Sequence, residues 1–161
     1  LEEIEQDLTA QLLSRLSEAP PAFFEKVVID LLISMGYGGS QTDAGRVVGK
    51  SGDDGIDGVI DQDALGLDRV YVQAKRHKKT VSAGAIRDFT GSLEVHQANK
   101  GMFITTSTFS DSAIRTAEMV AKRIVLIDGQ KLAALMLGNS IGCLTKKSIS
   151  LMRMDEDYFP N

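Results

Sequence analysis

Three polar side chains lie in two short β-strand patterns that a turn separates. Asp57 lies in the run GIDGVI, and Gln73 and Lys75 lie in the run RVYVQAK. Side chains alternate between the two faces of a strand, so Gln73 and Lys75 share one face. If the two runs pair as a hairpin closed by residues 62–68, Asp57 lies opposite Gln73. The pattern then predicts that a carboxylate, an amide oxygen and an ammonium group converge on one face of a sheet.

These groups indicate metal-assisted chemistry on a phosphate. Carboxylate and amide oxygens suit Mg²⁺, or Mn²⁺, better than Zn²⁺, and Mg²⁺ commonly takes one or two carboxylates before water and substrate phosphate complete its shell. Asp57 and the carbonyl oxygen of Gln73 therefore form a candidate metal site. The two histidines of the chain are too few for a zinc site. Lys75 could hold the attacking water, stabilise the charged transition state or act as a base, and the sequence leaves these roles open.

A basic cluster, KRHKK at residues 75–79, follows directly in a chain whose net charge is −4. Neutralising backbone phosphates dominates affinity for nucleic acid, so we expect this cluster to contact phosphates beside the site. A solvated strand end is the alternative interpretation. The candidate phosphate contacts in the cluster, and the DNA contacts if the substrate is DNA, are Arg76, His77, Lys78 and Lys79.

A hydroxyl-rich run, TTSTFS at residues 105–110, joins a predicted strand to a predicted helix. Hydroxyl and backbone N–H groups at the start of a helix can bind an anion. Capping accounts for Ser110 alone, so we expect a minor phosphate-binding role for Thr106 and Ser107.

The rest of the sequence supplies the elements that must position these residues. Apolar residues recur at helical spacing over residues 1–17, 22–35, 82–98 and 111–122, and QKLAALML predicts a last helix. Strand patterns occupy residues 40–49, 101–106 and 124–128 besides the hairpin, and the tail segment LMRM could add an edge strand. The order α-α-β-β-β-α-β-α-β-α predicts an α/β domain with a mixed sheet and helices on both faces.

Length and composition limit the class of protein. A chain of 161 residues with 43% hydrophobic residues can bury one domain core, and its single cysteine cannot form an internal disulfide. No apolar run has the length of a membrane span. We therefore expect a cytoplasmic protein without a membrane partner. Residues 1–20 are predicted to form an N-terminal helix and linker, and residues 21–161 the functional domain, as a fragment of a longer protein.

The chain resembles the catalytic domain of the Mrr family of restriction endonucleases, within the PD-(D/E)xK nuclease superfamily. The resemblance rests on the order of six segments: FEKVVIDLLISMGY, GDDGIDGVI, VYVQAKR, KGMFITTSTFSDSAI, IVLIDGQKLAALM and DEDYF. It implies a restriction-endonuclease-like three-layer α/β/α core with a central mixed β-sheet. It also implies Asp57 as the motif aspartate, Gln73 as the second ligand, Lys75 as the motif lysine and Glu25 as the acid of the first core helix. Ile56 stands where the superfamily motif has proline.

The resemblance further implies a reaction and its partners. The activity would be Mg²⁺-dependent hydrolysis of phosphodiesters in double-stranded DNA, acting on foreign or modified DNA, with Mn²⁺ as a substitute. Cutting both strands needs two sites, which implies a homodimer or a higher oligomer, and a separate DNA-recognition domain would lie outside this chain. Two alternatives stay open: a junction-resolving or repair nuclease of the same fold, and a DNA-binding module whose site has degenerated, for which the neutral Gln73 would be the sign.

Overall fold

The computed structural model describes residues 2–38, 45–46 and 55–160. Its elements follow the predicted order, with one additional 3-10 turn near the C-terminus. The predicted strand over residues 40–49 lies outside the described residues apart from residues 45 and 46. The helices are α1 (Glu2–Glu18), α2 (Pro21–Ser34), α3 (Ala83–Val95), α4 (Asp111–Met119) and α5 (Gly129–Gly138). The strands are β1 (Gly45–Arg46), β2 (Gly58–Asp61), β3 (Arg69–Lys75), β4 (Lys100–Thr105) and β5 (Arg123–Ile127).

Local sequence signals determine where the helices begin. Ser82, Ser110 and Asp128 precede α3, α4 and α5, and each side chain accepts a hydrogen bond from the backbone N–H three residues further on. Such caps satisfy N–H groups that have no partner inside the helix. Pro21 occupies the first turn of α2, where its missing N–H costs nothing.

The five strands form a mixed sheet in the order β1-β2-β3-β4-β5. Strands β1, β2 and β3 pair antiparallel, whereas β3, β4 and β5 pair parallel through the crossover helices α3 and α4. One expectation about this sheet was wrong, because the tail segment at residues 151–154 forms no strand. Strand β5 lies at the sheet edge and is mostly half-buried.

Two separate hydrophobic cores give the domain three layers. On one sheet face α1, α2 and α5 pack against β2, β3 and β4, with Leu12, Leu16 and Phe24 among the buried side chains. On the other face α3 and α4 cover a second core around Phe89 and Phe103. The predicted three-layer α/β/α architecture is confirmed. Because the strands carry apolar side chains on both faces, each face of the sheet is covered by a layer of helices that excludes water.

The turn of the β2–β3 hairpin is fixed by one side chain. The Asp63 carboxylate accepts the N–H groups of Leu65 at 2.9 Å, Leu67 at 3.2 Å and Asp68 at 2.8 Å. These bonds hold the pKa of Asp63 below its usual range. Gly66 adopts a positive φ of 70° in the same turn, a conformation that favours glycine. The turn thereby sets the register that places residues at the far end of the hairpin.

Candidate functional site

The predicted hairpin pairing brings Asp57 to the end of β3. Gly58 pairs with Val72, so Asp57, one residue earlier, is level with Gln73. The backbone N–H of Asp57 donates to the Val72 carbonyl at 2.9 Å. Its side-chain Oδ2 accepts the N–H of Ala74 at 2.7 Å. Asp57 is therefore held on both its backbone and its side chain, next to the QAK segment.

Glu25 of α2 lies beside Asp57. Both side chains line a cavity of about 10 Å³, together with Val28, Ile29, Gly58, Val72 and Ala74. Burial raises the pKa of Glu25, and the negative charge of Asp57 raises it further. Burial also raises the pKa of Asp57, while the Ala74 N–H and the Lys75 ammonium partly offset that effect. Two partly desolvated acids thus face a space about large enough for one water molecule.

Gln73 and Lys75 point to the other face of β3. Their neighbour Ala74 packs with the α2 core, so strand alternation directs Gln73 and Lys75 toward α3. The single-face prediction was wrong: Asp57 and Glu25 share a cavity with side chains of the α2 face, and the amide and ammonium groups lie on the α3 face. Lys75 is still close enough to Asp57 to lower its pKa. The site therefore spans both sides of the end of β3.

The α3 face holds each of these two side chains against a defined neighbour. The Lys75 Nζ lies 5.9 Å from the ring centroid of Phe103. A Cβ placed on Gly55 would lie 3.6 Å from Gln73 Nε2 and only 2.9 Å from Ser92 Oγ. Gly55 also has a positive φ of 74°. The absence of a side chain at position 55 therefore lets this loop pack against Ser92 of α3, next to the Gln73 amide.

The basic cluster continues β3 beyond the sheet. His77, Lys78 and Lys79 are exposed, whereas Arg76 is half-buried and donates from Nη1 to the Ser17 carbonyl at the end of α1, at 3.2 Å. Among the described residues, Arg76 Nε is buried without a hydrogen-bond partner. Within the cluster, Arg76 therefore connects α1 to the sheet, and the other three side chains are exposed and can contact a polyanion such as DNA.

The two hydroxyl residues predicted to bind phosphate form hydrogen bonds to the backbone of this cluster. Thr106 Oγ1 donates to the His77 carbonyl at 3.1 Å, and Ser107 Oγ donates to the Lys78 carbonyl at 3.3 Å. Each hydroxyl hydrogen is thus already donated within the protein. The geometry favours a role for Thr106 and Ser107 in holding the backbone that carries the basic side chains.

A larger cavity, of about 770 Å³, lies between α1 and α5, away from this site. Its lining includes Glu2 and Glu5 but no lysine or arginine, so it offers nothing to neutralise a phosphate. Within the described ranges there is no group of three or more His, Cys, Asp or Glu side chains suited to a metal. A metal at the end of β3 would depend on Glu25, Asp57 and the Gln73 amide oxygen.

Comparison with known families identifies the domain. The Mrr_cat family, described as a restriction endonuclease, matches residues 16–136. The chain belongs to this restriction endonuclease family. The Mrr match spans α2, the hairpin, α3, β4, α4, β5 and most of α5, so it includes every residue of the site. The resemblance that the sequence motifs indicated is confirmed.

Two known proteins extend this assignment. The type IV methyl-directed restriction enzyme EcoKMrr of Escherichia coli (strain K12) is 42% identical over 159 residues, which cover 99% of this chain and 51% of that enzyme. The chain thus spans about half the length of this Mrr relative. The structure of the MspJI restriction endonuclease in complex with a 27-mer oligonucleotide aligns with a TM-score of 0.57 at 24% identity, over 80% of this chain and 31% of that chain. This likeness supports the restriction-endonuclease-like fold.

Sequence patterns did not reveal three of the site's neighbours. These neighbours are Gly55 in a loop, Ser92 in helix α3 and Phe103 in the adjacent strand β4. In the sequence each residue is typical of the element that contains it, so none stands out as part of a site. The parallel register places Phe103 beside Gln73. Only a prediction of that register could have connected the phenylalanine to the polar strand face.

No helix in the described part of the chain is both long enough and apolar enough to cross a membrane.

Proposed function

We propose that this domain is a metal-dependent endonuclease that hydrolyses phosphodiester bonds in double-stranded DNA. The observation that carries the proposal is the pair Glu25 and Asp57 beside Lys75, within a domain of the restriction endonuclease family. Two neighbouring acids with raised pKa values favour a bound cation, because a cation would offset the cost of keeping both charged. Such perturbed groups are common at functional sites.

The residues present fit Mg²⁺, with Mn²⁺ as a substitute. Asp57 and Glu25 supply carboxylate oxygens, Gln73 supplies an amide oxygen, and the small cavity between the acids accommodates one water-sized species. Mg²⁺ is often held by one or two carboxylates plus water and substrate phosphate. When bound, it would polarise the scissile phosphate and favour ionisation of a water molecule. Asp57 and Gln73 are accordingly the proposed ligand residues, and Glu25, on the opposite side of β3 from Gln73, would act through a water molecule or a second ion.

Lys75 supplies the positive charge at the reacting phosphate. Its ammonium group can donate hydrogen bonds to a phosphate oxygen or to the attacking water, and a preorganised cation stabilises the charge that develops in the transition state. Asp57 on one side and the Phe103 ring on the other keep the side chain at the end of β3. Lys75 is therefore proposed as a catalytic residue in an electrostatic and orienting role.

The substrate approaches along the basic cluster in this proposal. Exposed His77, Lys78 and Lys79 would contact the DNA backbone, and Arg76 would fix the cluster to α1. Cutting both strands requires two such sites, so we propose that two or more copies act together. We also propose a cytoplasmic location, which is compatible with a DNA substrate.

Target choice is proposed to lie outside this domain. EcoKMrr is named as methyl-directed, and this chain spans about half of its length. We therefore propose modified DNA as the substrate of the whole protein, with a separate domain recognising the modification. The domain described here would supply the cleavage.

The test is cleavage of methylated and unmethylated plasmid by this chain with Mg²⁺ or Mn²⁺. We expect metal-dependent nicking or linearisation of DNA, lost in Lys75→Ala while circular dichroism shows an unchanged fold. Lys26→Ala is the matched control, because Lys26 lies on the exposed side of α2 and pairs there with Asp30. Full activity of Lys75→Ala would contradict the assigned site. Absence of cleavage together with DNA binding that needs no metal would favour the degenerate binding module.

A further inference from the structure

The ring of Phe103 lies on the adjacent strand β4, on the same face of the sheet as Gln73 and Lys75. Parallel pairing places Phe103 beside Gln73 and places Lys75 beside Thr105, one side-chain repeat further along the same face. The Lys75 ammonium reaches back to lie 5.9 Å from the Phe103 ring centroid. A cation within about 6 Å of an aromatic ring centroid is attracted by the negative face of the ring.

Phe103 itself is held rigidly. It is fully buried, and its ring makes edge contacts with Phe89 of α3 at 5.5 Å and an interplanar angle of 86°, and with Phe109 at 5.7 Å and 77°. Edge-to-face packing of this kind fixes the ring plane as well as the ring position. The three rings therefore form a platform, Phe89–Phe103–Phe109, whose central ring faces Lys75.

The platform helps to hold the flexible side chain of Lys75 in one position. A lysine side chain loses considerable rotamer entropy when it is held in one position, and Asp57 attracts the ammonium from one side only. The ring of Phe103 adds a second attraction from the α3 face. Together the carboxylate and the ring define where the ammonium group lies at the end of β3.

We propose that Phe103 is a positioning residue for Lys75, acting through the face of its ring. This inference rests on the proposed function of Lys75. Phe103 touches no substrate in this proposal. Its effect is to keep the ammonium group ready to meet the developing negative charge, so its loss reduces turnover while DNA and metal binding are retained.

The test compares Phe103→Leu with Phe89→Leu. Both substitutions remove a fully buried ring from the same core, so their costs in stability are comparable. Only Phe103 faces Lys75. We expect kcat for plasmid cleavage to fall roughly three- to tenfold in Phe103→Leu, as the loss of a cation–π contact predicts, with KM for DNA and the half-saturating Mg²⁺ concentration unchanged. Phe89→Leu leaves the Phe103 ring beside Lys75 and its contact with Phe109 in place, so it should lower kcat by less than Phe103→Leu does.

A spectroscopic measurement tests the contact without activity. In protein labelled with ¹³C at lysine Cε, the ring current should shift the Lys75 methylene signal, which is identified by its absence in Lys75→Arg. The shift should persist in Phe89→Leu and disappear in Phe103→Leu. If Phe103→Leu does not fold, Phe103→Met, whose flexible side chain fills gaps, takes its place.

The outcomes separate this inference from the proposed function. Equal falls in kcat for the Phe103 and Phe89 variants would overturn the positioning role, and so would loss of the ring-current shift with normal turnover. A wild-type chain that cleaves no DNA would contradict the proposed function. Even then, a Lys75 signal without a ring-current shift would independently refute the contact.

Discussion

Asp57 and Asp63 lie at opposite ends of the same β2–β3 hairpin, in opposite surroundings. Asp63 is half-buried in the turn and accepts three backbone N–H groups, which lower the pKa of its carboxyl group. Asp57 is partly buried, accepts one backbone N–H and lies beside Glu25, and burial raises its pKa. The carboxylate of Asp63 is therefore stabilised by hydrogen bonds within the turn, whereas the carboxylate of Asp57 is destabilised by burial and would be stabilised by a bound cation.

The difference separates a structural aspartate from a functional one. Hydrogen bonds to a carboxylate stabilise its charged form, so Asp63 favours the folded chain by being ionised. A desolvated carboxylate near another acid costs stability when ionised, and a protein keeps such a group where function requires it. The comparison predicts that substitutions of the two aspartates affect activity to very different extents and affect stability and its pH dependence with opposite signs.

The largest expected effect is on cleavage. Asp57→Asn should lower metal-dependent DNA cleavage by about a thousandfold, because a charged ligand and the local field for Lys75 are both lost. Asp63→Asn should stay within roughly twofold of wild type per folded molecule, because the turn lies at the far end of the hairpin. Initial rates of plasmid nicking measure both. Comparable losses of cleavage rate in the two variants would contradict the assignment of Asp57 as functional and Asp63 as structural.

The next effect is on thermal stability, with opposite signs. Asp63→Ala removes an acceptor for three N–H groups and should lower Tm by about 3 °C, by analogy with the loss of a helix cap in a domain of this size. Asp57→Asn keeps an oxygen for the Ala74 N–H and removes a desolvated charge, so it should raise Tm by about 1 °C. Scanning calorimetry at pH 7 without divalent metal measures both. A lower Tm for Asp57→Asn would show that its charge is already compensated in the metal-free protein.

The smallest effect is the dependence of these differences on pH. The lowered pKa of Asp63 means that its contribution to folding is present above the unfolded pKa and is lost as pH falls through the folded pKa. The raised pKa of Asp57 has the reverse sign: the folded state is favoured at low pH, and this advantage is lost as pH rises through the folded pKa. The Tm gain of Asp57→Asn should therefore shrink on acidification from about pH 7 to pH 4.

The Asp63 variant provides the contrast in that series. Its Tm deficit should persist to about pH 4 and shrink only below it. Added Mg²⁺ should stabilise wild type at pH 7 and should not stabilise Asp57→Asn, because ligand binding to the folded state raises stability. A Mg²⁺ effect of equal size in both proteins would place the metal elsewhere.

Much of the fold follows from local signals in the sequence. The order of helices and strands was predicted because apolar spacing, prolines and the caps Ser82 and Ser110 act within a few residues. The predicted edge strand in LMRM was wrong because strand propensity alone supplies no pairing partner. The alignment of Asp57 with Gln73 also followed from the hairpin pattern, since a short turn limits the possible registers.

Tertiary packing determines the relative positions of the site residues, which the sequence pattern could not predict. The sequence by itself determined that the family motif residues Asp57, Gln73 and Lys75 meet near one end of a hairpin. Only the packed structure places Glu25 against Asp57, separates the acids from Gln73 and Lys75 across β3, and sets Lys75 over Phe103. These relations depend on how α2 and β4 lie against the hairpin, over sequence separations at which local preferences carry no information. Burial then gives Asp57 and Asp63, identical in type, opposite shifts in pKa.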